Sequence, residues 1–384
     1  MHSSSIITLN QSAVNNNLKF LKRKLGSRVI ISAVVKANAY GHGIEQMVPL
    51  LEQAGVNHFS VFDYTEASRV AKSLENPCPI MIMGWVSDSD LKEAITRGFE
   101  FFVFNLERLN KTLELAKVLN IKAKIHIEAE TGMNRSGLNL ADLKEALNLL
   151  HQNQELFELK GFCTHLAGAE SITNYYRIQQ QIKRFHRMEA IVEAAGFKPE
   201  IIHMANSAAA FVYPKTRMDL VRVGIMLYGF WSSTETFIHY VNSKVNKTDP
   251  LQRVLDWKSQ IMALKEIKTG EFVSYGTSYL AQADIKTALI PVGYSCGYSR
   301  SLSNRGRVLI RGHRCSIIGV VNMNMIIADV TNLFDVEVGD EVVIIGKQGD
   351  LEIKVSAFGD SSNQLNYEVL AHMPDKINRK VLPG

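Results

Sequence analysis

The chain has 384 residues with 43 basic and 38 acidic side chains, a formal charge of +5. Hydrophobic residues make up 46% and charged residues 21%, so it reads as a globular protein with a core too large to need disulfide staples. The weak, scattered positive charge excludes nucleic acid as the default partner, and no apolar run approaches the length of a membrane span.

The N-terminus, MHSSSIITLNQSAVNNN, lacks the apolar stretch of a secretory signal. None of Cys78, Cys163, Cys296 and Cys315 forms a C-x-x-C pair, so neither a zinc site nor a redox pair is indicated. A cytoplasmic protein is expected. Through residue 230, short apolar runs alternate with amphipathic stretches. The runs are 28–35, 57–62, 79–84, 100–104, 123–129, 159–165, 201–204 and 219–223. The helical stretches are 10–23, 44–53, 66–75, 88–97, 107–118, 141–152 and 173–195, with Asp88 expected to cap the fourth and Gly98 to end it. Eight apolar runs, each followed by a helical or connecting segment, predict a (β/α)8 TIM-type barrel. An open doubly wound sheet calls for G-x-G-x-x-G after an early strand, which is missing.

From about residue 250 the pattern becomes β-rich, with runs at 307–311, 315–321, 325–330 and 341–345 divided by turn signals. The division expected is a cofactor-binding barrel over 1–240 and a mostly β domain over 241–384, with residues 1–9 free to pair with the latter. Residues 231–250 are polar and read as the connection.

Barrel enzymes place working residues where strands end. Lys36 follows the first run directly. A lysine there is either partly desolvated, with a lowered pKa suited to imine chemistry, or a strand-end lysine reaching to solvent. Asn206-Ser207 and Gly224-Ile225 end strands seven and eight, where barrels commonly bind phosphate; ordinary tight turns explain them equally. Imine lysine and phosphate cradle together suggest pyridoxal phosphate. Arg222 then either faces the pyridine nitrogen or pairs with a carboxylate as a structural arginine.

The segment AVVKANAYGHG at 33–43 resembles the cofactor-lysine signature of alanine racemases. ETGMNRSGL (130–138), THLAGAE (164–170), HMANSAA (203–209), VRVGIMLYG (221–229), VSYGTSYLA (273–281), IPVGYSCGYSR (290–300), GVVNMNM (319–325) and NYEVLAHMPDKINR (366–379) resemble later segments of that family, in order. The resemblance implies a barrel followed by a β domain, pyridoxal 5'-phosphate, and a homodimer with shared active sites. It implies that Lys36 holds the cofactor and is one acid/base, and that Tyr275 from the other subunit is the opposite one. By the same resemblance, Tyr40, Ser207, Gly224 and Ile225 hold the phosphate. Arg222 faces the pyridine nitrogen, His165 couples Arg222 to Tyr275, and Arg135 bonds the phenolic oxygen near the substrate. Met323 and Tyr294 lie near the substrate carboxylate and the entrance. Two bases on opposite faces of a planar carbon racemise it without moving. A phenol, with an ordinary pKa of about 10, needs cationic neighbours such as His165 and Arg222 to serve as a base.

The sequence also departs from the family pattern. Glu128 stands where many members carry a carbamylated lysine, and its carboxylate is expected to orient Arg135. Val320, Asn324 and Asp375 replace an arginine, an aspartate and a tyrosine of the corridor, with Arg300 and Glu170 left as corridor candidates. A more negative, roomier corridor would admit serine, lysine or arginine; matching catalytic segments favour alanine. Two other functions remain as alternatives. A barrel-type decarboxylase usually places an acid at the pyridine nitrogen and would release carbon dioxide. A non-catalytic carrier would bind the cofactor without exchanging the substrate's α-hydrogen.

Overall fold

The computed structural model describes residues 4–242, 244, 245, 247–362 and 365–383. It divides into two units, one of residues 13–36 and 47–252, the other of residues 1–12, 37–46 and 253–384.

In chain order the first strand, β1 (Ser5–Asn10), belongs to the second of these units. The first unit holds eight parallel strands: β2 (Ile30–Val34), β3 (Phe59–Val61), β4 (Ile80–Ile82), β5 (Glu100–Val103), β6 (Ala123–Glu128), β7 (Phe157–Cys163), β8 (Ile201–His203) and β9 (Leu220–Val223). Their order is β8-β7-β6-β5-β4-β3-β2-β9. Between the end strands an Asn206–Arg222 bridge and an Arg222 N–H bond to the Ala205 carbonyl (3.1 Å) complete the ring. This is the TIM-type barrel; seven of the eight predicted runs contain one of its strands, and the sixth, 159–165, overlaps β7, which starts two residues earlier. The seven strands are shorter than their runs because the apolar residues continue into the buried loop starts.

The helices lie where the 3.6-residue period places them, Ile44–Gln53 with the predicted ends and the others with ends shifted by one or two residues. The helix Asp88–Thr96 is capped by Ser87, whose hydroxyl accepts from Asp90 N at 3.1 Å, and not by Asp88. An N-cap needs extended backbone, which Ser87 has. Residues 231–250 are not a bare connection. They contain the helix Thr234–Asn242, which forms because Trp231, Phe237 and Tyr240 join Phe20 and Phe211 in an aromatic cluster.

The second unit contains β10 (Leu255–Gln260), β11 (Ala263–Ile267), β12 (Ile285–Ile290), β13 (Arg307–Ile310), β14 (His313–Ser316), β15 (Ile326–Asp329), β16 (Glu341–Gln348), β17 (Leu351–Ile353) and β18 (Asn378–Leu382). One sheet runs β14-β13-β16-β10-β1-β18, with β17 on β16; a second runs β11-β12-β15. β1 pairs antiparallel with β10 and parallel with β18. Of the segment 1–9, residues 1–3 lie outside the described residues. The run at 315–321 is strand only to Ser316; Gly319, at φ 73°, turns the chain out of the sheet. No helix among the described residues is long and apolar enough to cross a membrane.

Candidate active site

Lys36 leaves β2 after Val35, whose N–H donates to the Ser60 carbonyl at 2.9 Å. Its side chain reaches solvent, yet the enclosing protein and the nearby cations Arg135 and Arg222 lower its pKa. Both effects favour the neutral amine. At the end of β9, Arg222 is buried, and burial lowers its pKa too. It donates to Thr164 O (2.7 Å), Met204 O (3.1 Å) and His203 Nδ1 (2.5 Å). Its imidazole partner within the chain is His203, which ends the neighbouring strand β8. Burial, with Arg222, Arg135 and Lys36 nearby, pushes the pKa of His165 down to about 3, which favours its neutral imidazole.

Ser207 and Gly224 come together: the Gly224 N–H donates to Ser207 Oγ at 3.0 Å. Ser207 begins the helix Ser207–Val212, and Gly224 precedes the helical turn Ile225–Tyr228 as its N-cap. Asn206 is occupied as the N-cap of the first, accepting from Ala209 N at 2.9 Å. Arg135 is exposed, whereas Glu128 is buried. Among the described residues no ion pair within 4 Å joins them. Burial raises the Glu128 pKa, and its Oε2 has no hydrogen-bond partner. The charges of Arg222 and Arg135 act on this carboxylate in the opposite sense to burial.

Residues 37–46 group with the second unit. Ala37, Asn38, Ala39 and Tyr40 form a left-handed turn with φ of 51°, 53°, 54° and 52°. Each such residue costs about 1–2 kcal/mol for an L-amino acid, so the turn needs outside support. Asn38 Oδ1 accepts from Ile44 N (3.0 Å), and Asn38 Nδ2 donates to Asp375 (2.5 Å). Arg379 donates twice to the Gly41 carbonyl (2.8 and 3.0 Å). His42 Nδ1 donates to Tyr40 O (2.8 Å) and Ala39 O (3.1 Å). Tyr40 lies 6.0 Å from Tyr367 between ring centres. The turn after the lysine is thus fastened by the C-terminal segment, which spacing alone did not reveal.

Tyr275, 71% exposed, stands on a tight turn between Phe272 and Leu280. Ser274 (φ 68°) donates to Val320 O (2.8 Å) and Asn322 Oδ1 (3.1 Å). Tyr294 N donates to Asn322 O (3.0 Å) and Ser295 N to Met323 O (2.9 Å). Asn322 therefore ties together the segments bearing Tyr275, Tyr294 and Met323, all exposed. Asn324 accepts from Ser295 Oγ at 2.6 Å, a use that its departure from the family pattern did not suggest. A Cβ at Gly319 would lie 2.7 Å from Val273 O and Ser274 Cβ, at a φ of 73°. Gly319→Ala is expected to cost more than about 1 kcal/mol, read from urea unfolding, and to slow turnover by displacing the Tyr275 turn. Unchanged stability and turnover would contradict this placement.

The buried imidazoles predict the pH response. His42 has its pKa pushed down to about 4, chiefly by burial, from 6.5. The unfolded chain therefore binds the proton first, so the neutral form stabilises fully above pH 6.5. That stability is lost as pH falls toward 4, by roughly 3 kcal/mol for this group. His165, lowered to about 3, acts in the same sense. The melting temperature should start to fall near pH 6, above the carboxylate range. A melting temperature constant from pH 7 to 5 would contradict it.

The family model described as alanine racemase, N-terminal domain, matches residues 9–231, and that described as alanine racemase, C-terminal domain, matches residues 254–381. The chain belongs to the alanine racemase family. It is 32% identical over 382 residues to an alanine racemase of Leptospira interrogans serogroup Icterohaemorrhagiae serovar copenhageni, covering 99% of this chain and 96% of that one. It is 35% identical over 377 residues to that of Halothermothrix orenii, covering 96% and 94%. Among solved structures, alanine racemase from D-cycloserine producing Streptomyces lavendulae superposes with a TM-score of 0.91 at 27% identity, covering 100% and 98%. Alanine racemase from Bartonella henselae with covalently bound pyridoxal phosphate gives 0.84 at 26%, covering 99% and 100%. The protein is accordingly an isomerase of the racemase type, from a family that depends on pyridoxal phosphate.

Proposed function

We propose that this racemase interconverts L- and D-alanine with pyridoxal 5'-phosphate, as a homodimer, by two-base proton transfer. The observation that carries the reading is Lys36 at the end of β2, its pKa lowered by burial and by two guanidinium groups, with Arg222 rather than an acid at the end of β9. The donor set fits the cofactor: an amine, a buried guanidinium, and the Ser207 hydroxyl with the first N–H groups of two helical segments for a phosphate dianion. When bound, pyridoxal phosphate withdraws electrons from the substrate's α-carbon and makes its hydrogen acidic.

The chain's own residues do the rest. Lys36 Nζ would hold the cofactor covalently and, once the substrate's amino group has displaced it, would move a proton on one face of the α-carbon. Tyr275 of the partner subunit moves the proton on the other face. Ser207, Gly224 and Ile225, with Tyr40 from the left-handed turn, hold the phosphate. Arg222 keeps its proton and presents it to the ring nitrogen, which restrains full protonation there and with it side reactions. Arg135 meets the phenolic oxygen; Met323 and Tyr294 of the partner subunit border the substrate.

Alanine fits better than a cationic substrate, because Asp375 engages Asn38 with its carboxylate and so holds the lysine turn. Purified protein incubated with L-Ala, L-Ser, L-Lys and L-Arg should yield D-alanine far faster than any other D-product. Preference for a cationic amino acid would overturn the substrate assignment. Carbon dioxide release without D-product would overturn racemisation.

A further inference from the structure

The barrel interior is unexpectedly polar. Ser32, His58, Ser60, Glu100, His126 and His203 are all buried inside it, on five of its strands or beside them. They form a connected chain with Arg222. Arg222 Nη1 meets His203 Nδ1 at 2.5 Å, His203 Nε2 meets His126 Nδ1 at 3.0 Å, and His126 Nε2 meets Glu100 Oε2 at 2.8 Å. Behind Glu100, His58 Nε2 is 3.6 Å from the same carboxylate oxygen, and His58 Nδ1 is 2.8 Å from Ser32 Oγ.

The ends of this chain fix its direction. A guanidinium only donates, so His203 Nδ1 must accept and its proton must sit on Nε2. That N–H then donates to His126 Nδ1, which places the His126 proton on Nε2, facing a carboxylate that only accepts. Both ends therefore demand the same tautomer of both rings. Burial lowers both imidazole pKa values, and the two histidines beside Glu100 hold its carboxyl well below the usual range. The backbone is shaped to admit the chain: a Cβ at Gly161 would lie 2.0 Å from His126 Nδ1, and the β6–β7 register shifts between Ile125 and His126.

We propose that Glu100 is a remote positioning residue for Arg222, acting through His126 and His203 as a one-way hydrogen-bond chain. Its negative charge is the terminal acceptor that holds His203 Nδ1 open toward the guanidinium. Glu128 and Cys163 also act electrostatically on Arg222, but neither hydrogen-bonds it among the described residues. The functional consequence rests on the role assigned to Arg222 above; the tautomer chain does not.

The test is nitrogen NMR of the purified protein labelled at histidine, with and without bound cofactor, resonances being assigned with His126→Gln and His203→Gln. Both imidazoles should be neutral with the proton on Nε2. Glu100→Gln should shift the His203 Nδ1 resonance and lower kcat about tenfold or more while KM for alanine changes little, with Glu100→Asp recovering part of the loss. A proton on Nδ1 of either ring in the unaltered protein would overturn the proposal, whether or not the variants fold. So would a Glu100→Gln protein with an unshifted His203 signal and unchanged kcat. Correct tautomers in a protein that makes no D-alanine would instead count against the activity assignment alone.

Discussion

Lys36→Ala should abolish D-alanine formation and leave a folded protein. The lysine side chain reaches solvent at the end of β2, so removing it opens no cavity in the core. It also relieves a cluster of like charges, because Arg135 and Arg222 both depress its pKa. The melting temperature should therefore hold or rise slightly. Activity should fall by more than about a thousandfold, since the variant loses both the covalent tether and one of two proton-transferring groups. Two readouts separate these losses. The absorbance that reports lysine-bound cofactor should vanish even where free cofactor still occupies the site. Added methylamine should restore part of the turnover by supplying an amine of similar basicity. Turnover within tenfold of the unaltered protein would remove Lys36 from the chemistry.

The sequence made the barrel legible because its strands lie in short, mostly apolar runs and its helices carry a clear period. Lys36, Ser207, Arg222 and Gly224 were legible because a barrel offers its strand ends to solvent, and polar residues stand out there. Three things were not. The left-handed turn at 37–40 contains two alanines, an asparagine and a tyrosine, and nothing in those residue types announces positive φ. It exists because Asp375 and Arg379, more than 330 residues away in the chain, hold it. The helix Thr234–Asn242 hid in polar composition, since it packs through few residues: buried Thr236 and Val241, with Phe237 and Tyr240 in the aromatic cluster. The polar barrel core hid for the opposite reason. Ser32, Glu100 and His126 each sit inside an otherwise apolar run, and an isolated polar residue there suggests a strand edge until its partners on other strands are known. A signal did exist, in that four of the eight runs carry a histidine, and three of these, His58, His126 and His203, stand before the last residue of their run. One such residue is unremarkable; three facing one another are a network.

Tyr275→Phe should produce a lesion different in kind from that of Lys36→Ala. The phenol is 71% exposed in the single chain and its hydroxyl holds no part of the fold, so stability should change by less than about 0.5 kcal/mol. The turn that carries it is fixed independently, by Ser274 on Val320 and Asn322, so the phenylalanine ring should occupy the same place. What is lost is one proton carrier. Racemisation should fall about 10²- to 10⁴-fold in both directions, because the equilibrium between enantiomers cannot change and the two rates must fall together. Exchange of the α-hydrogen with solvent deuterium is not bound by that symmetry. Lys36 still serves one face, so one enantiomer should exchange its α-deuterium at a rate far above racemisation while the other stays inert. The same asymmetry cannot arise from a displaced cofactor or a loosened dimer, which would slow exchange of both enantiomers alike. Equal residual exchange of L- and D-alanine would mean that a single base serves both faces, and would leave Tyr275 a substrate contact rather than a catalytic residue.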